Sequence, residues 1–191
     1  GNYGALGHGI SDVDTGMLLN LNGGTLYHTD ILSVVRGMQG SPGEMTGVIR
    51  YQSSEILGTI DANTDRGIFG KITRNQEQFQ AKETVEVAYK QDVRVGPATI
   101  LSAVDGEVRE YAICIDKINL NSAEPNKSMV ISVTDPELLE KTGGIIQGMS
   151  GSPIIQNGCL VGAVTHVFVQ NSTKGYGIFI ENMLGAVNDK G

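Results

Sequence analysis

Residues 148–165, with the sequence GMSGSPIIQNGCLVGAVT, decide the fold of this chain. A glycine-rich turn comes first, an apolar run follows, and an Asn-Gly pair separates that run from a second one. Asn-Gly between two apolar runs is a strong short-range signal for a two-residue β-hairpin turn. The stretch therefore predicts a sharp turn that carries Ser150 and, directly after it, a β-hairpin.

Short apolar runs between turn residues continue through most of the chain. The 26 glycines among 191 residues follow no G-X-Y period, which excludes collagen and indicates many tight turns. Residues 17–21 and 25–35 predict a hairpin around Asn22-Gly23-Gly24, and residues 84–90 alternate with the period of two that is typical of a strand. Further strands are predicted at residues 47–51, 55–60, 67–72, 98–104, 107–118, 129–134, 152–155, 159–169 and 177–180.

Helical patterns are few. Asp135 followed by Pro136 predicts a helix with an N-cap and a first-turn proline, and Gly143 would end it. Residues 181–188 predict a terminal helix. Many short strands with few helices indicate an all-β protein, either a barrel or a sandwich.

Composition excludes several classes of function. The formal net charge of −7 argues against a nucleic-acid partner, and no apolar run reaches the roughly 18 residues that a membrane-spanning helix needs. Cys114 and Cys159 are the only cysteines and form no CxxC pair, so we predict no metal site. Both are expected to be small apolar residues, and a disulfide between them stays open.

Ser150 is the candidate nucleophile. A nucleophilic serine needs an exposed and sharply turned backbone, which the neighbouring glycines Gly148 and Gly151 permit. The same turn can aim the backbone N–H groups of Gly148 and Ser150 at one point, as an oxyanion hole does, and each such donor is worth about 3–4 kcal/mol. The alternative interpretation is an ordinary Ser/Gly turn between two strands.

A serine nucleophile needs a general base, and histidine is the usual one at neutral pH. His8 lies between two glycines that would let a substrate and Ser150 approach, so we predict it as the base. His166 is a competitor because it is close to Ser150 in sequence. His28 lies in a polar, alternating run and is interpreted as a surface residue.

The acid that would orient the base is less determined by the sequence. Asp135 lies fifteen residues before Ser150, although an Asp before Pro is also an ordinary helix N-cap. Asp61 and Asp65 better match the farther-upstream position that the acid has in trypsin-like enzymes, yet both are typical of turn residues. A Ser-His dyad that Thr165 assists is the remaining possibility.

The motif of residues 148–153 resembles the G-D-S-G-G-P motif of trypsin-like peptidases, with Met149 in place of Asp and Ser152 in place of Gly. The resemblance implies a double β-barrel, and the polar residues 119–128 are the expected boundary between the two barrels. In those enzymes the second strand after the nucleophile lines the specificity pocket. By this resemblance, Thr165, His166 and Val167 would flank the substrate side chain.

Four stretches closely resemble the SpoIVB peptidases, the stage IV sporulation protein B family of endospore-forming bacteria. They are residues 5–16, 147–158, 161–167 and 175–177. The resemblance implies a single peptidase domain over residues 1–191, with Ser150 and His8 as nucleophile and base and Asp135 as the third member. It implies no metal and no cofactor.

The same resemblance carries expectations about the biological role. Family members cleave a regulatory membrane protein and themselves, and this releases an intramembrane protease that processes a sigma-factor precursor. They act in the space between the forespore and mother-cell membranes. Full-length members are attached to the forespore membrane by an N-terminal anchor and have a PDZ domain, so this chain is expected to be a catalytic fragment that lacks both.

Two other classes of protein compete with the enzyme. A peptidase fold without activity could bind peptides as a regulatory module, although loss of the serine or the histidine would then be expected and both are present. In a structural spore protein the Ser150 turn would be incidental.

Overall fold

The computed structural model of the protein describes residues 1–74 and 84–188, with side chains as far as Ala186. Within these residues the chain forms twelve strands and two α-helices, so the all-β prediction is confirmed. The strands are β1 Asn2–Ala5, β2 Gly24–Tyr27, β3 Thr29–Val35, β4 Glu44–Ile49, β5 Ile56–Thr64, β6 Gly67–Ile72, β7 Gly96–Ser102, β8 Arg109–Ile118, β9 Met129–Val133, β10 Pro153–Gln156, β11 Cys159–Phe168 and β12 Asn171–Phe179. The helices are α1 Pro136–Thr142 and α2 Ile180–Asn188.

The second half of the chain is a closed six-stranded barrel. Its strands follow the order β7-β8-β9-β12-β11-β10, and β10 pairs back onto β7. Alternate side chains of β8 point inward, so Tyr111, Ile113 and Ile115 are at most 2% exposed while Glu110 and Ala112 face outward. The barrel therefore encloses the main apolar core of the molecule.

The first half is arranged differently. Strands β1, β6, β5 and β2 form an open antiparallel sheet in that order, and β3 and β4 form a separate hairpin. The polar residues 119–128, expected as the boundary between two barrels, connect β8 and β9, which are both strands of the closed barrel. The first strand of that barrel begins at Gly96. Linkers between subdomains and loops between paired strands are both polar. Polar composition alone therefore did not show where the closed barrel begins.

The local turn signals of the second half are confirmed. Asn157 and Gly158 have φ of 53° and 79°, as the two central residues of a hairpin turn between β10 and β11 require. Asp135 caps α1 and Gly143, at φ 72°, ends it in the left-handed conformation. The predicted terminal helix is α2.

Two strand predictions are wrong. Residues 17–21 form only an isolated bridge, between Leu18 and Ser11, and β2 pairs with β5 instead. Residues 84–90 form one isolated bridge, between Val87 and Leu160. An alternating pattern shows which residues could lie in a sheet, but a ladder needs a free strand edge along the whole segment.

Two further observations concern the cysteines and the length of the helices. Cys114 and Cys159 are free thiols, which resolves the open question of a disulfide. No helix in the described part of the chain is long and apolar enough to cross a membrane.

Candidate active site

The turn that carries Ser150 is held by its neighbours in the barrel core. Met149 is 1% exposed and its side chain is part of the main core cluster. The Ser152 amide donates to the Met149 carbonyl at 3.0 Å, which closes the turn. Gly148 and Gly151 have φ of 100° and 89°, so both positions need glycine. The apolar side chain of Met149, at the position where trypsin-like enzymes have an acid, thus anchors the turn in the barrel core.

The turn leaves two backbone amides free. Among the described residues, the N–H groups of Gly148 and Ser150 donate to no protein acceptor. Their neighbours are engaged, since Met149 N–H donates to Ile146 O at 3.2 Å and Gly151 N–H donates to Val164 O at 2.8 Å. The two free amides are those that the sequence predicts as oxyanion donors.

The Ser150 hydroxyl is turned toward β11 in this structure. Its Oγ donates to the Thr165 carbonyl at 2.8 Å, and it has no hydrogen bond to His8 in the described part of the chain. The Thr165 hydroxyl, which could assist a Ser-His dyad, donates to the Asn126 carbonyl at 2.6 Å. Thr165 therefore links the nucleophile to the loop between β8 and β9.

A strained turn brings His8 to this cleft. Gly7 N–H donates to Ala5 O at 2.9 Å across Leu6, whose φ is 68°, which makes a rare γ-turn with positive φ. A Cβ on Gly7 would lie 2.8 Å from Ile178 Cγ2 and 2.9 Å from Thr165 Cγ2. Only glycine lets the segment after β1 pack this closely on β11 and β12.

The His8 ring has a defined tautomer. Its Nδ1 lies 2.8 Å from the Gly9 carbonyl oxygen. Since a carbonyl oxygen only accepts, Nδ1 carries the proton and Nε2 is the basic nitrogen. This is the tautomer that a general base needs, and it is fixed here by a backbone carbonyl.

His166 forms the wall beside His8. The two ring centroids are 4.8 Å apart, with 37° between the ring planes. Burial, and after it the charge of His8, lower the pKa of His166 to about 4, so this imidazole is neutral at pH 7. Its Nδ1 is buried and has no hydrogen-bond partner among the described residues. A pKa this low makes His166 a weaker base than an ordinary histidine, which favours His8 over its competitor.

The predicted acid is not brought to His8. Asp135 Oδ1 accepts from Leu138 N–H at 3.0 Å, and Oδ2 accepts from Ala112 N–H at 3.2 Å, so both oxygens bind backbone amides at the start of α1. Of the alternative acids, Asp61 accepts a hydrogen bond from the Thr59 hydroxyl, and Asp65 Oδ1 lies 3.8 Å from Arg66 Nε. In the described part of the chain, none of these three carboxylates bonds to His8.

One cleft of about 390 Å³ contains all the predicted site residues except Asp135. These are His8, Gly148, Ser150, Thr165, His166 and Val167. The remaining walls are mostly apolar and come from Pro42, Ile145, Ile146, Val164 and Val169, with Gln147 as the polar exception. A larger cavity of about 730 Å³ lies between the first sheet and α2, but no serine, cysteine or histidine lines it. The described residues contain no cluster of His, Cys, Asp or Glu that could hold a metal ion.

Sequence analysis missed the support that the β3–β4 hairpin gives to the oxyanion turn. Met45 N–H donates to Gln147 O and Gln147 N–H donates to Gly43 O, both at 2.8 Å. A Cβ on Gly43 would lie 2.8 Å from Ile146 Cγ2, directly before Gln147, so the close approach of the hairpin depends on this glycine. The only signal for this contact in the sequence was a glycine between Pro42 and Glu44, and a glycine does not show which segment the hairpin would contact.

Comparison with known proteins gives a family and several similar folds. The family model of SpoIVB peptidase S55 matches residues 1–184. Among solved structures, the chain is similar to the inactive form of a serine-to-alanine mutant of Rv3671c from M. tuberculosis H37Rv, with 13% identity, a TM-score of 0.50, and 84% of this chain and 83% of that chain covered. It is also similar to the HtrA-type protease AlgW with a decapeptide, with 11% identity, a TM-score of 0.48, and 87% and 63% covered. The comparison with curated proteins finds no match.

At such low identities these likenesses concern the fold alone. The likeness to the Rv3671c mutant, with its TM-score of 0.50, confirms the prediction of a trypsin-like fold.

Proposed function

The chain belongs to the SpoIVB peptidase S55 family and is a serine peptidase, and we propose that Ser150 is its nucleophile and His8 its general base. One observation carries the proposal. Ser150, His8 and the two free amides of Gly148 and Ser150 line the same cleft. A nucleophile, a base in the right tautomer and an oxyanion hole are the parts that acyl transfer needs.

The reaction follows from these positions. The Ser150 hydroxyl leaves the Thr165 carbonyl and attacks the peptide carbonyl, while His8 Nε2 takes its proton. The Gly148 and Ser150 amides stabilise the oxyanion. His8 then gives its proton to the leaving amine, an acyl-enzyme remains, and water hydrolyses it with His8 again as base.

The hydroxyl rotation costs little. The Ser150–Thr165 bond is one side chain-to-backbone hydrogen bond, and such a bond contributes about 0.5–1.5 kcal/mol net. Catalytic hydrogen bonds are often long or misaligned without substrate and tighten in the Michaelis complex. Substrate binding in the cleft can therefore supply the free energy that moves Ser150 toward His8.

Membership of the family supports a specific biological role. The substrates are a regulatory membrane protein and the enzyme itself, and cleavage of the regulator releases an intramembrane protease that acts on a sigma-factor precursor. The enzyme acts outside the cytoplasm, between the forespore and the mother cell, with its full-length form attached to the forespore membrane. The role of Asp135 as the third triad member stays a prediction.

The test is cleavage of a peptide from the regulatory protein by the parent chain and by matched pairs of variants. Ser150→Ala is paired with Ser152→Ala in the same turn, and His8→Ala with His28→Ala on an exposed strand connection. We expect the first of each pair to be folded and inactive, and the second to cleave like the parent. If Ser150→Ala and His8→Ala are folded and cleave normally, the assignment is wrong. If the parent binds the peptide without cleaving it, the chain is a binding module.

A further inference from the structure

The cleft beside Ser150 is lined by groups that carry no charge. Among the described residues that line it, only the two histidines, His8 and His166, have a side chain that can become positively charged near neutral pH. Burial and the charge of His8 keep the pKa of His166 near 4, so its ring is neutral at pH 7. His8 acts as a base only in its neutral form. A substrate side chain that enters the cleft therefore meets no charge of either sign.

The nearest charged groups are already paired with each other. Lys127 and Glu124 are the charged residues that, besides His8, act on the titration of His166. Lys127 Nζ lies 2.6 Å from Glu124 Oε2, and 5.7 Å from the centroid of the Tyr176 ring. Neither residue lines the cleft. Their opposite charges largely cancel, so neither is available as the partner of a charged substrate side chain.

The floor of the cleft is apolar and closed. Ile145 and Ile146 form part of it and are 1% and 2% exposed. A Cβ on Gly175 of β12 would lie 2.7 Å from Ile145 Cδ1, so Ile145 packs directly on the backbone of that strand. The long side chain of a lysine or arginine could not pass this floor to place its charged end in water.

The mouth of the cleft is apolar as well. Val169 follows the end of β11 and is 55% exposed. Among the described residues, it is the only exposed large apolar side chain that lines this cleft. Its backbone is held separately, because its carbonyl oxygen accepts from Gly40 N–H at 3.1 Å. The side chain can therefore be replaced without loss of the contact that positions it.

We propose that this cleft selects an uncharged, apolar side chain on the substrate residue whose carbonyl Ser150 attacks. The proposal rests on the function proposed above. The selected residue is that one because its carbonyl oxygen must lie at the Gly148 and Ser150 amides, which line the same cleft. An apolar side chain gains free energy when it leaves water for such walls. A charged side chain loses its hydration there and finds no partner.

The first measurement compares four peptides that differ only at this residue, which is Leu, Asn, Lys or Glu. Asn matches Leu in shape and differs in polarity. In the parent chain we expect the Leu peptide to have the highest kcat/KM. The Asn peptide should be at least about tenfold lower, and the Lys and Glu peptides at least about 100-fold lower.

The second measurement places a charge at the mouth of the cleft. Val169→Asp should raise the ratio of kcat/KM for the Lys peptide over the Glu peptide at least about fivefold, and Val169→Lys should lower it by as much. Val108→Asp is the matched control, since Val108 is 71% exposed and does not line the cleft. It changes the net charge as Val169→Asp does and should leave the ratio within about twofold of the parent.

Binding separates this proposal from the assignment of the nucleophile. Fluorescence anisotropy of the four labelled peptides with Ser150→Ala measures affinity without cleavage, and the Leu peptide should bind at least about tenfold more tightly than the Lys or Glu peptide. If Ser150→Ala cleaves like the parent, the nucleophile is wrongly assigned, while the order of affinities still tests the cleft.

Three results would overturn the proposal. In the first, the Lys or Glu peptide is cleaved or bound as well as the Leu peptide. In the second, both folded Val169 variants leave the ratio of the Lys to the Glu peptide unchanged. In the third, the chain neither cleaves nor binds any of the four peptides.

Discussion

Replacing Gly148 by alanine tests the oxyanion hole most directly. At φ 100° an alanine is strained, and its Cβ would lie 2.9 Å from Met45 Cε and 3.1 Å from Met45 Cβ. The Cε end of Met45 can move away. Its Cβ cannot, because the Met45 backbone is hydrogen-bonded to Gln147. The turn must then relieve the contact by rotating its own peptide, which turns the Gly148 N–H away from the oxyanion position.

The size of the effect can be worked out. A non-glycine residue in the left-handed region costs about 1–2 kcal/mol, and about 1 kcal/mol lowers the Tm of a domain of this size by about 2–4 °C. Misplacing one oxyanion donor costs about 2.7–4 kcal/mol in the transition state. We therefore expect a Tm lower by about 2–8 °C, and a kcat lower by about 10²–10³ with a nearly unchanged KM.

The assay is steady-state cleavage of a chromogenic peptide, with thermal unfolding followed in parallel. Gly158→Ala is the matched control, since Gly158 has φ 79° and a Cβ there meets nothing within 4 Å. It should lose similar stability and keep its kcat. If Gly148→Ala keeps kcat within threefold of the parent, or if both variants lose activity in proportion to stability, the Gly148 amide is not an oxyanion donor.

Three further predictions follow from the site. Asp135→Asn keeps an N-cap acceptor without the charge, so a capping role alone predicts a kcat/KM within about threefold of the parent. Asp135→Ala should lose about 1 kcal/mol of unfolding free energy. A folded Asp135→Asn variant that is 100-fold less active than the parent would make Asp135 the triad acid. Burial lowers the pKa of His166 from 6.5 to about 4, so the unfolded chain binds the extra proton in that pH window. Its stabilising contribution should be present above pH 6.5 and decline as the pH falls toward 4, and urea unfolding of His166→Gln should lack this slope. Gly7→Ala should cost about 2 kcal/mol or more and abolish cleavage, because the new Cβ would contact Ile178 and Thr165; a stable, active variant would show that His8 does not depend on this packing.

Local signals predicted the parts of the fold that local chemistry determines. Asn157-Gly158 fixes a hairpin because both residues tolerate positive φ, and Asp135-Pro136 starts a helix because it supplies a cap. Pairing between distant segments was not predictable in this way. Strand β1 pairs with β6 some 66 residues later, and nothing in either sequence identifies the other.

The site shows the same division. Ser150, His8 and Gly148 could be predicted as members of one cleft because a nucleophile, a base and an oxyanion donor each need a distinct residue type or backbone freedom. Asp135 was ambiguous, since an N-cap and a triad acid are both carboxylates at the end of a strand, and the structure shows it capping α1. The group that orients His8 is the backbone carbonyl of Gly9, which every residue type has. The residue types in the sequence therefore could not indicate it.

The orienting group has a consequence for the rate. A carbonyl at 2.8 Å from Nδ1 selects the tautomer as a carboxylate would, but it carries no full charge. If this carbonyl, and not Asp135, faces His8 during catalysis, the imidazolium that forms when His8 accepts the Ser150 proton is stabilised less than in a triad with an acid. In a trypsin-like triad, an uncharged amide in place of the acid lowers kcat about 10⁴-fold, although much of that loss comes from the wrong tautomer. Since His8 here already has the correct tautomer, only the part due to charge is missing, and the enzyme should be slow rather than inactive.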